Sequence, residues 1–140
     1  MRLRHLLIIA SVATLAFVPE ASAQKRDRER GQDWVQLGCQ QVYFRGRDRD
    51  SIRVGRREGR FRAIRIAARG NDVEMRRLSV VYANGNPDEL DVQRVVRSGS
   101  KTDPIDLKGR DRAIDRIDLT YRQRDDFSGR ATVCVEGLVG

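Results

Sequence analysis

Residues 109–122 read GRDRAIDRIDLTYR, and the second half of this stretch decides the fold class. Ile117, Leu119 and Tyr121 alternate there with charged or polar residues. Successive side chains of a β-strand point to opposite faces of its sheet, so this period of two predicts a strand with one buried face and one wet face. Strands of this kind are typical of antiparallel sheets.

The same stretch shares two short patterns with the middle of the chain. G-R-x-R-A-I occurs at 59–64 and at 109–114, and R-[LI]-x-[VL]-x-Y occurs at 77–82 and at 116–121. The two patterns are twelve residues apart in the first copy and one residue apart in the second. Tandem repeats keep their spacing. We therefore interpret the patterns as strands under similar demands, with a duplication of two halves as the alternative.

The period of two continues along most of the chain from residue 34 onward. Turn-forming residues separate the runs: Gly70-Asn71 predicts a tight hairpin, and NGNPD at 84–88 predicts a second turn. We predict an all-β fold over residues 34–140, a single antiparallel β-sandwich of jelly-roll-like type with about eight strands. The alternating apolar residues are Val35, Leu37 and Cys39; Ile52 and Val54; Ile64, Ile66 and Ala68; Leu78, Val80 and Tyr82; and Val133 and Val135.

Two segments leave their local structure open. Residues 88–96, DELDVQRVV, are compatible with a strand or with a short helix. Phe61 has the opposite parity to Ile64 and Ile66. That strand therefore either carries a bulge near Arg62 or places Phe61 on its outer face.

The first 23 residues have the layout of a secretory signal peptide. Arg2 and Arg4 precede an apolar run at 6–18, and small residues at 21–23 provide a cleavage site. The run is too short to span a hydrocarbon core of ~30 Å comfortably, and an uncleaved anchor is the alternative. We predict export to the periplasm or out of the cell, and no membrane span in the mature chain. Residues 24–33 contain no apolar side chain and are expected to form a flexible polar leader.

Cys39 and Cys134 are the two cysteines of the chain, and an exported protein meets an oxidising environment. We predict a disulfide between them that ties the first strand to the last, with two free thiols or an intermolecular bridge as the alternatives. His5, the single histidine, leaves with the signal peptide, and two thiols without histidine make a poor zinc site. Without Ser-His or Cys-His couples, the mature chain is predicted to be non-catalytic and to need no metal or cofactor.

The sequence leaves one catalytic alternative open. Asp48, Asp50, Asp125 and Asp126 could supply the pair of carboxylates that glycoside hydrolysis requires. The chain would then be a carboxylate-dependent hydrolase that acts on envelope glycans. Asp48 and Asp50 could also begin a calcium loop, but no further ligands follow at the spacing of such a site.

Arginine is the strongest compositional signal, in a chain with a formal net charge of +8. Guanidinium groups bind phosphate and carboxylate through two parallel hydrogen bonds. We predict that an arginine-rich surface binds an anionic polymer of the cell envelope. The alternative is a solvated charged face without a ligand, because Asp48, Asp50 and Glu58 neutralise part of the charge. The arginines of this prediction are Arg45, Arg47, Arg49, Arg53, Arg56, Arg57, Arg60, Arg62 and Arg65.

Two other classes of partner are nucleic acid and a second protein. Nucleic acid is not expected, since an exported protein rarely meets it and aromatic side chains for base stacking are few. A second envelope protein is the other candidate, in which case the chain would be a protein-interaction or inhibitor module.

Five longer motifs are spread along the chain. They are W-V-x-L-G-C at Trp34–Cys39, D-R-D-x-I-x-V-G at Asp48–Gly55, V-V-Y-x-N-G at Val80–Gly85, I-D-L-K-G at Ile105–Gly109 and R-A-I-D-R-I-D-L-x-Y-R at Arg112–Arg122. Together these motifs resemble a family of short exported bacterial proteins that are classed as a domain of unknown function. The resemblance implies a secreted or periplasmic all-β domain, and it brings no catalytic residues with it.

Overall fold

Strands account for nearly all the regular structure in the described part of the chain. A computed structural model describes residues 32–43, 49–122 and 129–140. Within these ranges the only helical element is a 3₁₀ turn at Arg56–Glu58, and the predicted all-β class is confirmed. The nine strands are β1 (Trp34–Val42), β2 (Arg49–Arg53), β3 (Phe61–Arg69), β4 (Val73–Tyr82), β5 (Pro87–Leu90), β6 (Val95–Val96), β7 (Ile105–Asp106), β8 (Ile114–Arg122) and β9 (Ala131–Val139).

The strands form two antiparallel sheets. One has four strands in the order β1-β9-β3-β7, and the other has the order β2-β8-β4-β5, with β6 also pairing with β4. The pairings are nested along the chain, because β4 pairs with β5, β3 with β7, β2 with β8 and β1 with β9. Buried side chains of both sheets belong to one hydrophobic cluster.

The repeated sequence patterns lie side by side. Strands β4 and β8 are neighbours, so that Leu78 is opposite Leu119 and Val80 is opposite Ile117. The other pattern pairs with its own copy as well, since the backbones of Phe61 and Arg112 exchange two hydrogen bonds of 2.9 Å. Each of the two sequence patterns therefore pairs with its own copy in an antiparallel arrangement.

The inner faces follow the predicted period of two in most strands. The alternating residues of β3, β4, β8 and β9 are buried, with Ile64, Val80 and Ile117 at 0% exposure. Phe61 joins this core because the register shifts between Phe61 and Ala63, which confirms the bulge. A Cβ atom at Gly137 would lie 2.7 Å from the ring of Phe61, so the packing of that ring requires glycine.

The predicted parity of the first strand is wrong. A register shift between Gln36 and Gly38 changes the phase of β1, so Cys39 does not share the buried face. Cys39 is opposite Cys134, whose neighbours in β9 point into the core, and cross-strand partners share one face. Both cysteines therefore lie on the outer face of the four-stranded sheet. The predicted disulfide between them is confirmed, and it links the first strand to the last.

The predicted hairpin at Gly70-Asn71 is also wrong. Strands β3 and β4 belong to different sheets, so this turn carries the chain from one sheet to the other. Gly70 has φ 88°, and Asn71 Nδ2 donates to the carbonyl oxygen of Arg130 at 2.8 Å. The turn at 84–88 does join the paired strands β4 and β5. The open segment 88–96 contains the end of β5 and the short strand β6, and no helix.

Parts of several predictions fall outside the described residues. These include the signal peptide at 1–23 and most of the polar leader at 24–33. No helix in the described part of the chain has the length and apolar character that crossing a membrane requires.

Candidate functional site

The predicted arginines are divided between the two sheets. Arg49 and Arg53 lie exposed on β2, at the edge of the five-stranded sheet. The 3₁₀ turn holds two more, and the last three lie before or on β3 of the four-stranded sheet. Arg45 and Arg47 lie outside the described residues. The groups are Arg49 and Arg53; Arg56 and Arg57; and Arg60, Arg62 and Arg65.

Strand pairing brings other arginines to the two on β2. Arg53 is directly opposite Arg116 of β8. Arg49 is opposite Thr120, which in turn is opposite Arg77 of β4. Cross-strand partners have Cβ atoms about 5 Å apart on one face of a sheet. We call the outer surface formed by Arg49, Arg53, Arg77 and Arg116 the arginine face.

Three members of the arginine face, Arg49, Arg77 and Arg116, line an open depression of about 400 Å³. Its charged side chains form exposed pairs: Arg77 Nε to Glu89 Oε1 at 3.1 Å, and Arg116 Nε to Asp118 Oδ2 at 3.1 Å. Such exposed pairs add little to stability. The lining residues are Arg49, Ser51, Arg77, Ser79, Glu89, Arg116, Asp118 and Thr120.

A second open depression follows along the same two central strands. It measures about 390 Å³ and is lined by Glu74, Met75, Arg76, Val92, Arg94 and Arg122. The Glu74 side chain is buried and accepts hydrogen bonds from Arg94 Nε at 3.0 Å and Arg122 Nη1 at 3.5 Å. Three arginines thus line it beside one carboxylate, which extends the positive surface beyond the arginine face.

On the outer face of the four-stranded sheet, a cluster of charged side chains is less exposed, and its members are paired with one another. Glu136 is bound by Arg65 and by Lys101 Nζ, the latter at 2.9 Å. The guanidinium carbon of Arg65 also lies 4.1 Å from the ring centroid of Trp34, which is a cation–π contact. Burial raises the pKa of Glu136, but the hydrogen bonds from Lys101 and Arg65 outweigh burial, so its pKa lies below the ordinary value.

A polar cluster occupies the end of β4. Tyr82 is buried, and its hydroxyl donates to Asp88 Oδ2 at 3.0 Å. Lys108 Nζ lies 3.0 Å from the other oxygen of Asp88. Burial, with the hydrogen bond to Asp88, raises the pKa of Tyr82 to about 12. The phenol therefore acts as a neutral hydrogen-bond donor that satisfies a buried carboxylate.

The described residues offer little to metal or thiol chemistry. Both cysteines are joined in the disulfide. Within residues 32–43, 49–122 and 129–140, no three His, Cys, Asp or Glu side chains are grouped so that they could hold a metal ion. Of the carboxylates proposed for hydrolysis, Asp48, Asp125 and Asp126 lie outside these ranges, so that alternative stays a prediction.

Sequence reasoning missed two of the four members of the arginine face. Arg77 and Arg116 are distant from residues 45–65 in the chain and reach Arg49 and Arg53 only through strand pairing. A signal was present, because these two arginines begin the two copies of R-[LI]-x-[VL]-x-Y. A pattern on paired strands places its first residue on the same face in both copies.

Comparison with known proteins gives one match. A family model described as a domain of unknown function (DUF2541) matches residues 7–137. Neither the curated proteins nor the solved structures yield a significant match to the chain.

Proposed function

The chain belongs to the family described as domain of unknown function DUF2541, and since that description names no activity, we propose a function from the geometry of the chain itself. The protein is an exported, non-catalytic β-domain that binds an anionic polymer of the cell envelope. The binding surface is the arginine face. The polymer is a phosphorylated, sulfated or carboxylated chain whose repeating charges meet several arginines at once.

The pairing of Arg53 with Arg116 carries this proposal. Like charges directly opposite each other on a sheet are destabilising. Among the described residues Arg53 has no carboxylate partner, and Arg116 shares Asp118 with the hydroxyl of Ser51. A bound anion between the two guanidinium groups would remove the repulsion. Repulsion in the free protein is therefore converted into affinity for an anionic ligand.

The depression beside this pair supports a polymer over an isolated ion. The depression is also lined by Ser51, Ser79 and Thr120, and the hydroxyls of Ser79 and Thr120 can hydrogen-bond to sugar hydroxyls or to phosphate oxygens. Arg49 and Arg53 are four residues apart on one strand, which separates them by about 13 Å. An extended polyanion can span that distance and place successive charges at both.

Two observations support the proposed location outside the cytosol. The first 23 residues have the pattern of a cleaved signal peptide. The Cys39–Cys134 disulfide is of the kind that persists in oxidising compartments.

The nested strand pairing supports the proposed β-sandwich of jelly-roll type. When β6 is set aside, eight strands remain, four in each sheet. Consecutive strands change sheet at every step except the β4–β5 hairpin. This is the arrangement of a long antiparallel hairpin rolled into two layers, which is typical of jelly rolls. In such a roll the outer face of each sheet is available to a ligand.

The test is retention of the secreted protein on heparin resin and on lipopolysaccharide resin. We expect binding at low salt and release at moderate salt, because charge attraction at an exposed surface is screened within about 10 Å at 0.1 M salt. A variant with Arg49, Arg53, Arg77 and Arg116 changed to Gln should flow through both resins. The two resins distinguish a general polyanion site from one that needs the lipid-bound polymer.

A matched control removes equal charge from elsewhere on the surface. The control variant changes Arg56, Arg57, Arg97 and Arg130, all exposed, to Gln. It should elute close to the wild-type protein. Equal losses of retention in the two variants, or wild-type protein that fails to bind at low salt, would refute the arginine face as the binding surface.

A protein partner is the second candidate, and the edge of the four-stranded sheet favours it. β1 is an edge strand of nine residues, and a long exposed edge can add a strand from another chain. Val35, Tyr43 and Val139 are exposed apolar or aromatic side chains on or near this edge. A partner bound there would be retained at high salt, whereas a polymer on the arginine face would be released.

A further inference from the structure

A third depression lies where the two G-R-x-R-A-I patterns meet. It measures about 210 Å³, roughly half the size of the other two. It lies at the end of β4, away from the residues that line the arginine face. Its lining consists of Arg60, Tyr82, Ala83, Asn84, Arg112 and Ala113.

Both guanidinium groups of this depression are held in place. Arg60 donates from Nε to Asp111 Oδ1 at 2.9 Å and from Nη2 to the Asp111 carbonyl at 2.7 Å. Arg112 lies over the ring of Tyr82, with its guanidinium carbon 3.6 Å from the centroid, and donates from Nη1 to the Lys108 carbonyl at 3.2 Å. Fixing long side chains before a ligand arrives lowers the entropic cost of binding.

The fixed guanidinium groups keep donors for a ligand. A guanidinium has five N–H donors. The contacts above use two donors of Arg60 and one of Arg112. The amide nitrogen of Asn84 adds further donors, since its Oδ1 is the atom that accepts the backbone N–H of Asn86.

Among the described residues, the lining contains no carboxylate, in contrast to both depressions on the five-stranded sheet. The acids nearby are already engaged. Asp111 binds Arg60, and Asp88 accepts the Tyr82 hydroxyl and pairs with Lys108. Asp111 offsets part of the charge of Arg60, whereas the partners of Arg112 in the described part of the chain are neutral, a ring and a carbonyl.

We propose that this depression is a second anion site, which binds a single phosphate group between Arg60, Arg112 and Asn84. The small volume suits a group of the size of one phosphate, because pockets for ordinary small molecules occupy about 300–1,000 Å³. Two guanidinium groups and an amide match the several oxygens of a phosphate, and arginine presents them with forked geometry. The group is either free phosphate or the end of a phosphate monoester. This site does not depend on polymer binding at the arginine face.

The test is a titration of the ¹⁵N-labelled secreted protein with inorganic phosphate, followed by amide chemical shifts at constant ionic strength. We expect saturable shifts at Ala83, Asn84 and Ala113, and no such shifts with chloride. A parallel titration with glycerol phosphate separates the two sources: tighter binding identifies a monoester end, and equal or weaker binding identifies free phosphate. Both arms support the site if the shifts map to these residues.

Three variants make the test specific. Arg112→Lys keeps the charge but loses the fork and the stacked plane, and should weaken phosphate binding by about tenfold or more. Asn84→Asp keeps the oxygen that accepts the Asn86 N–H while placing a negative charge in the depression, and should abolish binding. Arg110→Lys is the control, because Arg110 is exposed and lies outside the lining, and should bind as the wild type does.

The outcomes that overturn the proposal are distinct. Absence of saturable shifts with either phosphate compound would do so, as would equal weakening by Arg110→Lys. Phosphate shifts concentrated on β2 and β8 would assign the binding to the arginine face instead. Thermal unfolding of each variant guards against a folding defect, and Asn84→Asp remains informative if Arg112→Lys proves unstable.

Discussion

The outer faces of the two sheets hold arginine in different environments. On the four-stranded sheet, Arg65 and Glu136 have side chains only 12% and 15% exposed, and Trp34 and Lys101 complete the cluster. On the five-stranded sheet, the paired side chains of Arg77 and Glu89 are 58% and 64% exposed. On the four-stranded sheet arginine is thus enclosed with a carboxylate whose loss would leave a mostly buried charge unpaired, and on the five-stranded sheet arginine stays in water.

Loss of the disulfide has the largest expected effect on stability. The disulfide lies on the outer face of the four-stranded sheet. Cys39→Ser combined with Cys134→Ala opens a loop of 95 residues. The chain-entropy model predicts a loss of about 4.7 kcal/mol in the free energy of unfolding, and measured losses are often lower. Urea unfolding of the variant and of the wild type measures the difference.

Reduction of the wild-type protein provides the control for the disulfide. With reductant present, the unfolding midpoint of the wild type should fall to that of the double variant. A difference below about 1 kcal/mol between oxidised and reduced protein would show that the nested strands hold the two chain ends together without the covalent link.

A pair of matched substitutions compares the two faces directly. Glu136→Gln leaves the mostly buried Arg65 without its anion and should lower the free energy of unfolding by about 2 kcal/mol. This cost is below the range for fully buried pairs, because the half-exposed Lys101 keeps the cluster partly open to water. Glu89→Gln removes the exposed partner of Arg77 and should cost less than about 0.5 kcal/mol. Denaturant unfolding of both variants in one buffer measures the contrast. Equal costs would mean that the two faces do not differ in the way we describe.

The pH dependence of stability sharpens the same contrast with a smaller effect. The pKa of Glu136 is lowered in the folded protein by Lys101 and Arg65 against the effect of burial. Its contribution is therefore complete above the pKa of an unfolded glutamate and is lost as the pH falls through the folded-state value. Stability should drop in acid more for the wild type than for Glu136→Gln. If the stability of the two proteins falls by the same amount in acid, Glu136 does not cause the pH dependence.

Arg53→Gln should give the smallest effect on stability. Its side chain is exposed and lies opposite Arg116, so the substitution removes a repulsion and no ion pair among the described residues. We expect the free energy of unfolding to change by no more than about 0.5 kcal/mol, and to rise slightly because the repulsion is removed. Thermal unfolding at low salt measures it, and repetition at high salt should erase any gain. A loss above 1 kcal/mol would assign Arg53 a structural role.

Local sequence patterns predicted the parts of the fold that depend on neighbouring residues. The buried faces of β3, β4, β8 and β9 follow from the period of two, because parity is a property of one strand. Cys39 was misplaced because a bulge between Gln36 and Gly38 reverses that parity. The Gly70-Asn71 turn has the composition of a hairpin, but which sheet receives the next strand depends on contacts distant in the chain.

The members of the arginine face likewise could not all be predicted from local sequence. Residues 45–65 contain Arg49 and Arg53, whereas Arg77 and Arg116 join them through the order of strands in the sheet. Arg65 belongs to the predicted cluster in sequence but pairs with Glu136 on the other sheet. Composition therefore indicated the chemistry of the surface, and only strand pairing selected its members.

Chemical-shift mapping with a size-defined heparin oligosaccharide tests the central claim most directly. The titration reports every amide of the secreted protein at once and so compares the two outer faces in one experiment. We predict saturable shifts along β2, β8 and β4 around Arg49, Arg53, Arg77 and Arg116, with β1 and β9 unchanged. Shifts centred on β1 and β9, or no saturable shifts at low salt, would contradict the claim.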